Sequence, residues 1–448
     1  MAVAAYNRHV YPLYSLLLLL VLIVSTPWWL VQMLRHGKYR SGWSERLGRV
    51  PGRLVTDRAG NTIWIHAVSV GEVRAISRLL EDLKVQLPGW RIVVSTTTDT
   101  GQKLARQSFG DNNVFYVPLD LPMAVRAYVR ALRPALMVLA ESEFWPNLLR
   151  CARESGASIA VVNARISDRS LPGYLRFRKL LVRVLQNVDL FLARSAEDAQ
   201  RLIRIGASVE RVQVSGNLKF EVRPPARSEI ARHLGSAVQQ ERIGPVIVAG
   251  STLEGEEAML LDTFRQVAAA YPRAFLVLAP RHPERFEAVA ALLAASHLPF
   301  QRRSAWSASE PPPREGVFLL DSIGELAALY GFADIAFIGG SLVPGGGHNV
   351  LEAAQFGAAI LVGPHTENFR DIVDIFRKAD ALRIVAPGSL APTVLQLLEN
   401  SDERAALGRR ALEVMRAQQG ATARTVAALL GLLPANVRAS AVSPERRA

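Results

Sequence analysis

Glu72 is the side chain whose position in this sequence most clearly favours chemistry. It closes the segment His66-Ala-Val-Ser-Val-Gly-Glu72, directly after the apolar run 63–65. That run is typical of a buried strand, and the apolar spacing that follows predicts a helix from Val73 to Leu83. At the carboxyl end of a strand, a carboxylate can accept a proton from a bound hydroxyl. Alternatively, Glu72 only complements the positive end of the helix dipole, and the motif alone leaves both roles open.

Two carboxylates and a lysine elsewhere in the first half are further candidates. Glu141 and Glu143 follow the strand-like run Leu136–Ala140. A metal pair is one use for them, but no Asp-x-Asp motif or histidine cluster accompanies them, so we expect no metal. We expect Glu141 to face a ligand and Glu143 to be structural. Lys219, in Gly216-Asn217-Leu218-Lys219-Phe220, either neutralises a phosphate or carboxylate of a ligand or is an ordinary surface lysine.

The segment Asn163–Ser170 follows another strand-like run and is polar enough to line a substrate site. The next predicted helix, Tyr174–Leu185, is basic and amphipathic. Such a helix can rest on an anionic membrane, although more often its apolar face packs on a sheet.

The second half contains the strongest signal for nucleotide binding. The strand-like run Ile335–Ile338 leads into Gly339-Gly340-Ser341-Leu342-Val343-Pro344-Gly345-Gly346-Gly347-His348-Asn349 and then a predicted helix, Val350–Phe356. Glycines let a phosphate approach the backbone, and the amides at a helix N-terminus attract it. Glu352, one turn into that helix, can accept hydrogen bonds from ribose hydroxyls.

Two common nucleotide fingerprints fail in this sequence. Gly250–Glu256 has the glycine spacing of a P-loop, but Glu256 stands where that loop has its lysine. Neither domain opens on G-x-G-x-x-G, which disfavours a dinucleotide-dependent oxidoreductase. The remaining possibility is a protein whose nucleotide ligand is the leaving group or the carrier of a transferred group.

Two other segments of the second half directly follow predicted strands. Arg281, in Pro280-Arg281-His282-Pro283-Glu284, can hold a phosphate with two hydrogen bonds, or can pair with Glu284 at a helix start. The segment Asp321-Ser322-Ile323-Gly324-Glu325 can offer backbone groups to a base or ribose. Ser322 and Glu325 also have the spacing of a capping box.

Bulk properties point to a reducing compartment, an anionic partner and a membrane. Cys151 is the only cysteine, so no disulfide can form within the chain, and the net charge of +13 suggests an anionic partner. Residues 13–34 carry no charge, and about 22 residues at ~1.5 Å each reach roughly 33 Å, enough to span a bilayer. The arginines and lysines that follow place the rest of the chain in the cytoplasm. A cleaved signal peptide is disfavoured because no small-x-small site follows.

Apolar runs alternate with helical patterns after this segment, which predicts an α/β protein with two doubly wound parallel sheets and a ligand cleft between two domains. The predicted strands are 63–66, 92–95, 114–117, 136–140, 159–162 and 190–193, then 246–249, 275–279, 317–320, 335–338, 360–362 and 382–385.

Together these segments resemble the family of Kdo transferases, which add 3-deoxy-D-manno-oct-2-ulosonic acid (Kdo) to lipid A precursors. The matching segments span most of the chain in family order. They are HAVSVGE ending at Glu72, ESEFWPN from Glu141, NARISDRS from Asn163, GNLKF around Lys219, PRHPERF from Pro280, and GGSLVPGGGHNVLE ending at Glu352.

The resemblance implies a GT-B glycosyltransferase fold of two Rossmann-like domains. It implies a membrane anchor at 1–40, an acceptor-binding domain at 41–222, a linker at 223–244, a CMP-sugar-binding domain at 245–434 and a disordered tail at 435–448. The expected reaction is inverting transfer of Kdo from CMP-Kdo to lipid IVA, in lipopolysaccharide biosynthesis at the cytoplasmic face of the bacterial inner membrane, without a cofactor.

The resemblance also implies roles for single residues. Glu72 is expected to be the proton acceptor, held ionised by the helix end, while Glu141 and Lys219 stabilise the transition state. The residues expected to bind CMP are Pro280, Arg281, Ile323, Gly324, Glu325, Asn349, Val350, Leu351 and Glu352. No role is expected for Ser142 or Phe144.

Two alternatives remain: the first keeps the fold but changes the chemistry, and the second has no catalytic activity. One is another membrane-associated GT-B transferase, or an epimerase, that uses a UDP-sugar. The other is a non-catalytic protein that binds anionic lipid or nucleic acid. Aromatic residues for base stacking are sparse among the basic segments, so we expect no nucleic-acid partner.

Overall fold

A computed structural model of the chain describes residues 11–27, 42–55, 61–222, 228–306 and 315–434. The chain forms two compact units. Unit 1 comprises Met1–Glu221 with Gly420–Ala448, and unit 2 comprises Val222–Gln419. Each unit contains a seven-stranded parallel sheet. The prediction of two doubly wound parallel sheets is therefore confirmed.

The sheet of unit 1 has the order β3-β2-β1-β4-β5-β6-β7. Its strands are β1 (Thr62–His66), β2 (Arg91–Thr96), β3 (Val114–Tyr116), β4 (Leu136–Ala140), β5 (Ser158–Ala164), β6 (Leu190–Ala193) and β7 (Val212–Val214). The sheet of unit 2 has the order β10-β11-β9-β8-β12-β13-β14. Its strands are β8 (Val246–Thr252), β9 (Phe275–Pro280), β10 (Phe300–Arg302), β11 (Gly316–Leu319), β12 (Ile335–Ile338), β13 (Ala359–Val362) and β14 (Arg383–Ile384).

The helices of unit 1 are α1 (11–27), α2 (Trp43–Arg46), α3 (Val70–Gln86), α4 (Asp99–Phe109), α5 (Pro122–Leu132), α6 (Pro146–Glu154), α7 (Leu171–Arg176), α8 (Arg178–Leu185), α9 (Ala196–Ile205) and α18 (Ala421–Gly431). Those of unit 2 are α10 (Glu229–Glu241), α11 (Glu256–Ala270), α12 (Phe286–Ser296), α13 (Leu326–Leu329), α14 (Leu351–Ala354), α15 (Arg370–Lys378), α16 (Leu390–Glu399) and α17 (Ser401–Gln418).

The central strands of unit 1 form because their apolar side chains are buried on both faces of the sheet. Successive residues of a strand point to opposite faces. In β1, Trp64 accordingly joins one core cluster, while Ile63 and Ile65 join the cluster on the other face. Helices cover both faces, so charged groups of these strands can lie only at the ends.

Two edge strands escaped prediction, and one predicted helix is broken. β7 and β10 lie at sheet edges, where most of their residues are partly or fully exposed, so they lack the apolar run used to find the others. The helix predicted from Tyr174 to Leu185 is two helices, α7 and α8, which meet at Phe177.

Helix α18 belongs to unit 1, although it lies within the range 245–434 predicted for the second domain. Its buried side chains share a core cluster with those of α3. The Arg424 Nε–H donates to the Ser215 carbonyl at 2.9 Å, and the Thr422 N–H donates to Glu221 Oε1 at 3.2 Å. The chain thus returns from unit 2 to complete unit 1.

Helix α1 covers residues 13–27 of the predicted membrane-spanning segment 13–34. Its residue Tyr11 contacts unit 1, because the Asn187 side chain donates to the Tyr11 hydroxyl at 2.9 Å and the Arg150 guanidinium lies 4.6 Å from the Tyr11 ring centre. Residues 1–10 and 28–40 of the predicted anchor and the predicted disordered tail at 435–448 lie outside the described residues. Within the part of the chain that the structure describes, no helix is both long enough and apolar enough to cross a membrane.

Candidate active site

Glu72 lies in the first turn of α3, at the carboxyl end of β1. The helix starts at Val70, three residues earlier than predicted, because Ser69 caps it: the Glu72 N–H approaches Ser69 Oγ at 3.5 Å. The Ser69 hydroxyl donates to Glu72 Oε1 at 3.0 Å, and the Val68 N–H donates to Glu72 Oε2 at 2.7 Å. The residue thus completes the helix start, as the structural alternative required, and still lies at the ligand-binding edge of the sheet.

Burial raises the pKa of Glu72 from an ordinary value of 4.5 to about 7. The negative charges of Glu141 and Glu143 raise it further, while the hydrogen bonds from Val68 and Ser69 oppose the shift. The expectation that the helix end keeps Glu72 fully ionised is therefore wrong, because the loss of hydration outweighs those bonds. A carboxyl group with a pKa close to 7 is well matched to accept a proton at neutral pH.

Glu141 and Lys219 form an ion pair beside Glu72. Glu141 follows β4 directly, in a left-handed conformation with φ of 57°. Lys219 Nζ lies 3.2 Å from Glu141 Oε1, and the two side chains are only 25% and 22% exposed. Lys219 is therefore not an ordinary surface lysine. Glu72, Glu141 and Glu143 form a cluster of carboxyl groups, and Lys219 adds one positive charge to it.

Two asparagines hold the turn that carries Lys219. This turn, Leu218–Phe220, is a short 3-10 helix. Asn163 Oδ1 accepts the Leu218 N–H at 3.1 Å, and Asn217 Oδ1 accepts the Lys219 N–H at 3.0 Å. Asn163 is 1% exposed with φ of 52°. Asn163 belongs to the segment 163–170 predicted to line a substrate site, and its side-chain oxygen supports the turn that carries the lysine. Asn163 and Asn217 both lie in motifs described above, but no rule of sequence spacing predicts that both support the turn of Lys219.

The residues around Glu141 have structural contacts. The Trp145 indole N–H donates to Glu143 Oε2 at 3.0 Å, and burial raises the pKa of Glu143. The Ser142 hydroxyl donates to the Arg165 carbonyl. Phe144 packs against two aromatic rings, those of Tyr174 and Phe191, each 6.2 Å away. Ser142 thus connects the end of β4 to the segment after β5.

The glycine-rich segment of unit 2 leads into a shorter helix than predicted. α14 comprises Leu351–Ala354, a single turn, and does not reach Phe356. The Asn349 amide donates to Glu352 Oε1 at 3.2 Å, and Asn349 Oδ1 accepts the Leu351 N–H at 3.2 Å. One turn of helix has a small dipole, so a phosphate here must depend on individual backbone donors and on nearby cations.

Arg281 follows β9 in unit 2, and its backbone N–H donates to the Thr252 carbonyl at 2.9 Å. Its side chain is exposed. Glu284, the alternative partner considered for Arg281, lies 3.9 Å from His282 Nδ1. Arg285 instead makes the ion pairs of this turn, with Glu254 and Glu257, each at 3.2 Å.

The segment Ile323–Glu325 lies between β11 and α13. Ile323 is 68% exposed, and Gly324 has φ of 93°. The predicted capping box does not form, because α13 begins only after Glu325 and has no side-chain cap. The Ser322 hydroxyl instead donates to Glu325 Oε2 at 2.5 Å. Arg303 Nε also donates to Glu325 Oε2, at 2.9 Å. The carboxylate of Glu325 is thus occupied within the protein, which leaves the exposed backbone and Ile323 as the groups available to a base.

No group of three or more metal-binding side chains is assembled among the residues that the structure describes.

Comparisons with known proteins identify close relatives. A family model described as 3-deoxy-D-manno-octulosonic-acid transferase (kdotransferase) matches residues 41–222. The 3-deoxy-D-manno-octulosonic acid transferase of Haemophilus influenzae is 34% identical over 406 residues, which cover 89% of this chain and 93% of that protein. The enzyme of the same name from Bordetella pertussis is 37% identical over 394 residues, covering 86% and 90%.

A solved structure of UDP-GlcNAc 2-epimerase from Neisseria meningitidis, bound to UDP-GlcNAc, superposes with a TM-score of 0.51 at 14% identity. The match covers 83% of this chain and 100% of that one. At this identity the likeness shows the fold alone.

The pKa of Glu72 predicts how activity depends on pH. If its ionised form is the base, kcat/KM rises about tenfold per pH unit below pH ~7 and levels off above it. Ser69→Ala removes a bond that stabilises the charged form, so the inflection moves up. Glu143→Gln removes a nearby negative charge, so the inflection moves down. Initial rates from pH 5 to 9 measure both shifts, and a wild-type profile that is flat between pH 5.5 and 8 contradicts the assignment.

Proposed function

Because the chain belongs to the family of Kdo transferases, glycosyltransferases of lipopolysaccharide biosynthesis, we propose that it transfers Kdo from CMP-Kdo to a lipid A precursor such as lipid IVA. The observation that carries this proposal is the cluster at one sheet edge of unit 1: a buried glutamate with a pKa of about 7 beside the Glu141–Lys219 ion pair. Such a cluster combines a base that can deprotonate the acceptor hydroxyl with charges that stabilise the positive sugar ring and the negative leaving group as they develop.

In the proposed mechanism, Glu72 takes the proton of an acceptor sugar hydroxyl. The hydroxyl oxygen forms a bond to the anomeric carbon of Kdo while the bond from that carbon to the CMP phosphate oxygen breaks, and the electron pair leaves with CMP. Because a single displacement occurs with the base opposite the leaving group, the configuration at the anomeric carbon inverts, by analogy with inverting glycosidases. A phosphate leaves without much help from an acid, so no second proton donor is required.

The ion pair stabilises charge on both sides of the breaking bond. Positive charge develops on the sugar ring as the leaving group departs, and the carboxylate of Glu141 lowers the energy of that charge. Lys219 keeps this carboxylate in place and offers a cation to the sugar carboxylate or the phosphate. The buried hydrogen bonds of Asn163 and Asn217 fix the lysine before substrate arrives, so little reorganisation is needed during the reaction.

We further propose that unit 2 binds CMP through three segments. The residues are Pro280, Arg281, Ile323, Gly324, Glu325, Asn349, Val350, Leu351 and Glu352. The exposed guanidinium of Arg281 suits the phosphate. Glu352, which accepts from the Asn349 amide, can also accept from a ribose hydroxyl. Membership in the Kdo transferase family favours this donor over a UDP-sugar, and no feature of unit 2 specifically supports an epimerase.

The proposed site of action is the cytoplasmic face of the inner membrane, where α1 contacts lipid. The side chains of α1 that face away from unit 1 are apolar and between 44% and 72% exposed: Leu13, Leu16, Leu17, Leu19, Leu20, Val21, Ile23 and Val24. A contiguous apolar surface of this kind is typical of a membrane contact. The net charge of +13 favours the same anionic surface.

Incubation of the purified protein with CMP-Kdo and lipid IVA tests the proposed reaction. Mass spectrometry of the lipid should show a product heavier by one or more Kdo units, together with released CMP. Thermal shift measurements with CMP and UDP compare the nucleotides, and CMP should stabilise the protein more. A lipid that stays unmodified with CMP-Kdo but gains a sugar from a UDP-sugar would overturn the proposal.

Glu72→Gln should lower kcat by roughly 10²–10⁴-fold, because the amide cannot take the hydroxyl proton although it preserves the shape. Calorimetry should show unchanged CMP affinity, since Glu72 lies in unit 1. Glu154→Gln, at an exposed glutamate of the same unit, is the matched control and should keep the wild-type rate. If Glu72→Gln turns over at the wild-type rate, another group is the base.

The membrane contact predicts where the protein partitions. Wild-type protein should sediment with vesicles of inner-membrane lipids and stay bound at 1 M salt (~3 Å Debye length), because apolar contacts are not screened. The double variant Leu20→Lys/Val24→Lys should be released. The double variant Met123→Lys/Val209→Lys introduces the same two charges at apolar side chains that are 86% and 62% exposed elsewhere in unit 1, and should remain bound. Equal binding of all three proteins would exclude α1 as the lipid contact.

A further inference from the structure

Glu256 is a completely buried glutamate whose carboxylate is surrounded by backbone donors. Its Oε2 accepts the N–H groups of Leu253 at 2.8 Å and Gly340 at 2.6 Å. Its Oε1 accepts the N–H groups of Ser341 at 2.9 Å and Leu342 at 2.8 Å. Three of these four donors belong to the turn that follows β12 and opens the glycine-rich segment. Glu256 is not among the residues proposed above for proton transfer, charge stabilisation or CMP binding.

Local structure explains why a carboxylate can be buried at this position. Glu256 is the first residue of α11 and follows Gly255, whose φ is 93°. Its own N–H donates to the Leu253 carbonyl at 3.0 Å, so residues 253–256 form a closed turn. The positive end of α11 and four N–H donors replace the hydration that burial removes. Without such donors, a buried carboxylate is strongly unfavourable.

The turn that Glu256 holds is packed tightly on its other sides. A Cβ atom at Gly339 would lie 2.5 Å from the Ser251 carbonyl oxygen, so the end of β8 touches this backbone. A Cβ atom at Gly363 would overlap the Ser341 carbonyl. Ser341 Oγ accepts the Gly363 N–H at 2.7 Å. The amides of this turn therefore face the Glu256 carboxylate inside the protein and not a ligand.

We propose that Glu256 acts as an internal anion that takes the place of a phosphate at the turn 340–342 and thereby preforms the glycine-rich segment for the donor nucleotide. This inference rests on the proposed function of unit 2. It also accounts for a glutamate at the position where a P-loop has its lysine: Glu256 accepts one N–H of its own loop and three of the turn 340–342, so it links the two segments and does not bind a phosphate. Glu256 is then a positioning residue.

Hydrogen bonds carry this restraint from the turn to the later residues of the segment. The carbonyl of Gly340 accepts the Gly347 N–H at 2.7 Å, and the carbonyl of Ser341 accepts the His365 N–H at 2.9 Å. Gly347 directly precedes the residues proposed to bind CMP, from Asn349 onward. The residues 340–342 are therefore fixed before the nucleotide binds. In this proposal the phosphate contacts residues that follow Leu342 in the chain.

The substitution Glu256→Gln tests this role because it preserves size and removes the charge. A glutamine presents one oxygen and one NH₂ group, and the NH₂ faces N–H donors that have lost their acceptor. We expect CMP affinity and the KM for CMP-Kdo to worsen by about tenfold or more, while kcat at saturating donor stays within about threefold. A general loss of folding would instead lower the active fraction and leave KM unchanged.

Asp334→Asn is the matched control for this experiment. Asp334 Oδ2 also accepts a backbone N–H, that of Val246 at 2.9 Å, but it precedes β12 and so lies at the opposite edge of the same sheet. The same change from carboxylate to amide should there leave CMP affinity and the KM for CMP-Kdo at wild-type values. Glu256→Asp, which keeps the charge on a shorter side chain, should bind CMP more tightly than Glu256→Gln.

Hydrogen exchange measured by mass spectrometry reads the turn directly and needs no nucleotide. Peptides that cover 340–342 should exchange slowly in wild type and at least tenfold faster in Glu256→Gln. Fast exchange in wild type, or unchanged CMP affinity in a folded Glu256→Gln variant, would overturn the inference. If wild type itself fails to bind CMP, the proposed function fails, and the exchange rates still decide the role of Glu256. The wild-type measurement stands even if the glutamine variant does not fold.

Discussion

Parallel pairing of strands that are buried on both faces is the constraint on which the rest of this structure depends. Helices cover each sheet, so polar side chains of the central strands have access to ligands only where the strands end. Every strand of a parallel sheet ends at the same edge, where the following helices begin with unpaired N–H groups. Carboxyl groups gather at this edge in both units because it offers donors that offset the cost of their burial.

The two units use this edge in different ways. In unit 1, Glu72 receives two hydrogen bonds, which do not offset its loss of hydration, so its pKa lies near 7. In unit 2, Glu256 receives four N–H donors, which satisfy both oxygens. The same residue type at the same kind of strand-to-helix junction thus suits the proposed proton transfer in one place and the proposed positioning role in the other. The number of donors that reach each carboxylate distinguishes the two.

The sequence allowed prediction of the parts that depend on local patterns. The twelve apolar runs correspond to twelve of the fourteen strands found among the described residues, and the motifs containing Glu72, Glu141 and Lys219 lie together in unit 1. Edge strands β7 and β10 escaped because their partial exposure leaves no apolar signature. The pKa of Glu72 depends on burial and on charges about 70 residues away in the chain, which no local pattern contains. The support that Asn163 gives to Leu218 spans 55 residues and is equally absent from any local pattern.

Helix α18 has a consequence for the order in which the protein can form. Unit 1 is discontinuous: α18 packs against α3, which begins beside Glu72, and bonds to the loop that leads to Lys219. During synthesis, all of unit 2 leaves the ribosome before α18 does. The core beside Glu72 therefore stays incomplete until α18 has been synthesised, so a chain that terminates before α18 lacks part of the packing that supports this residue.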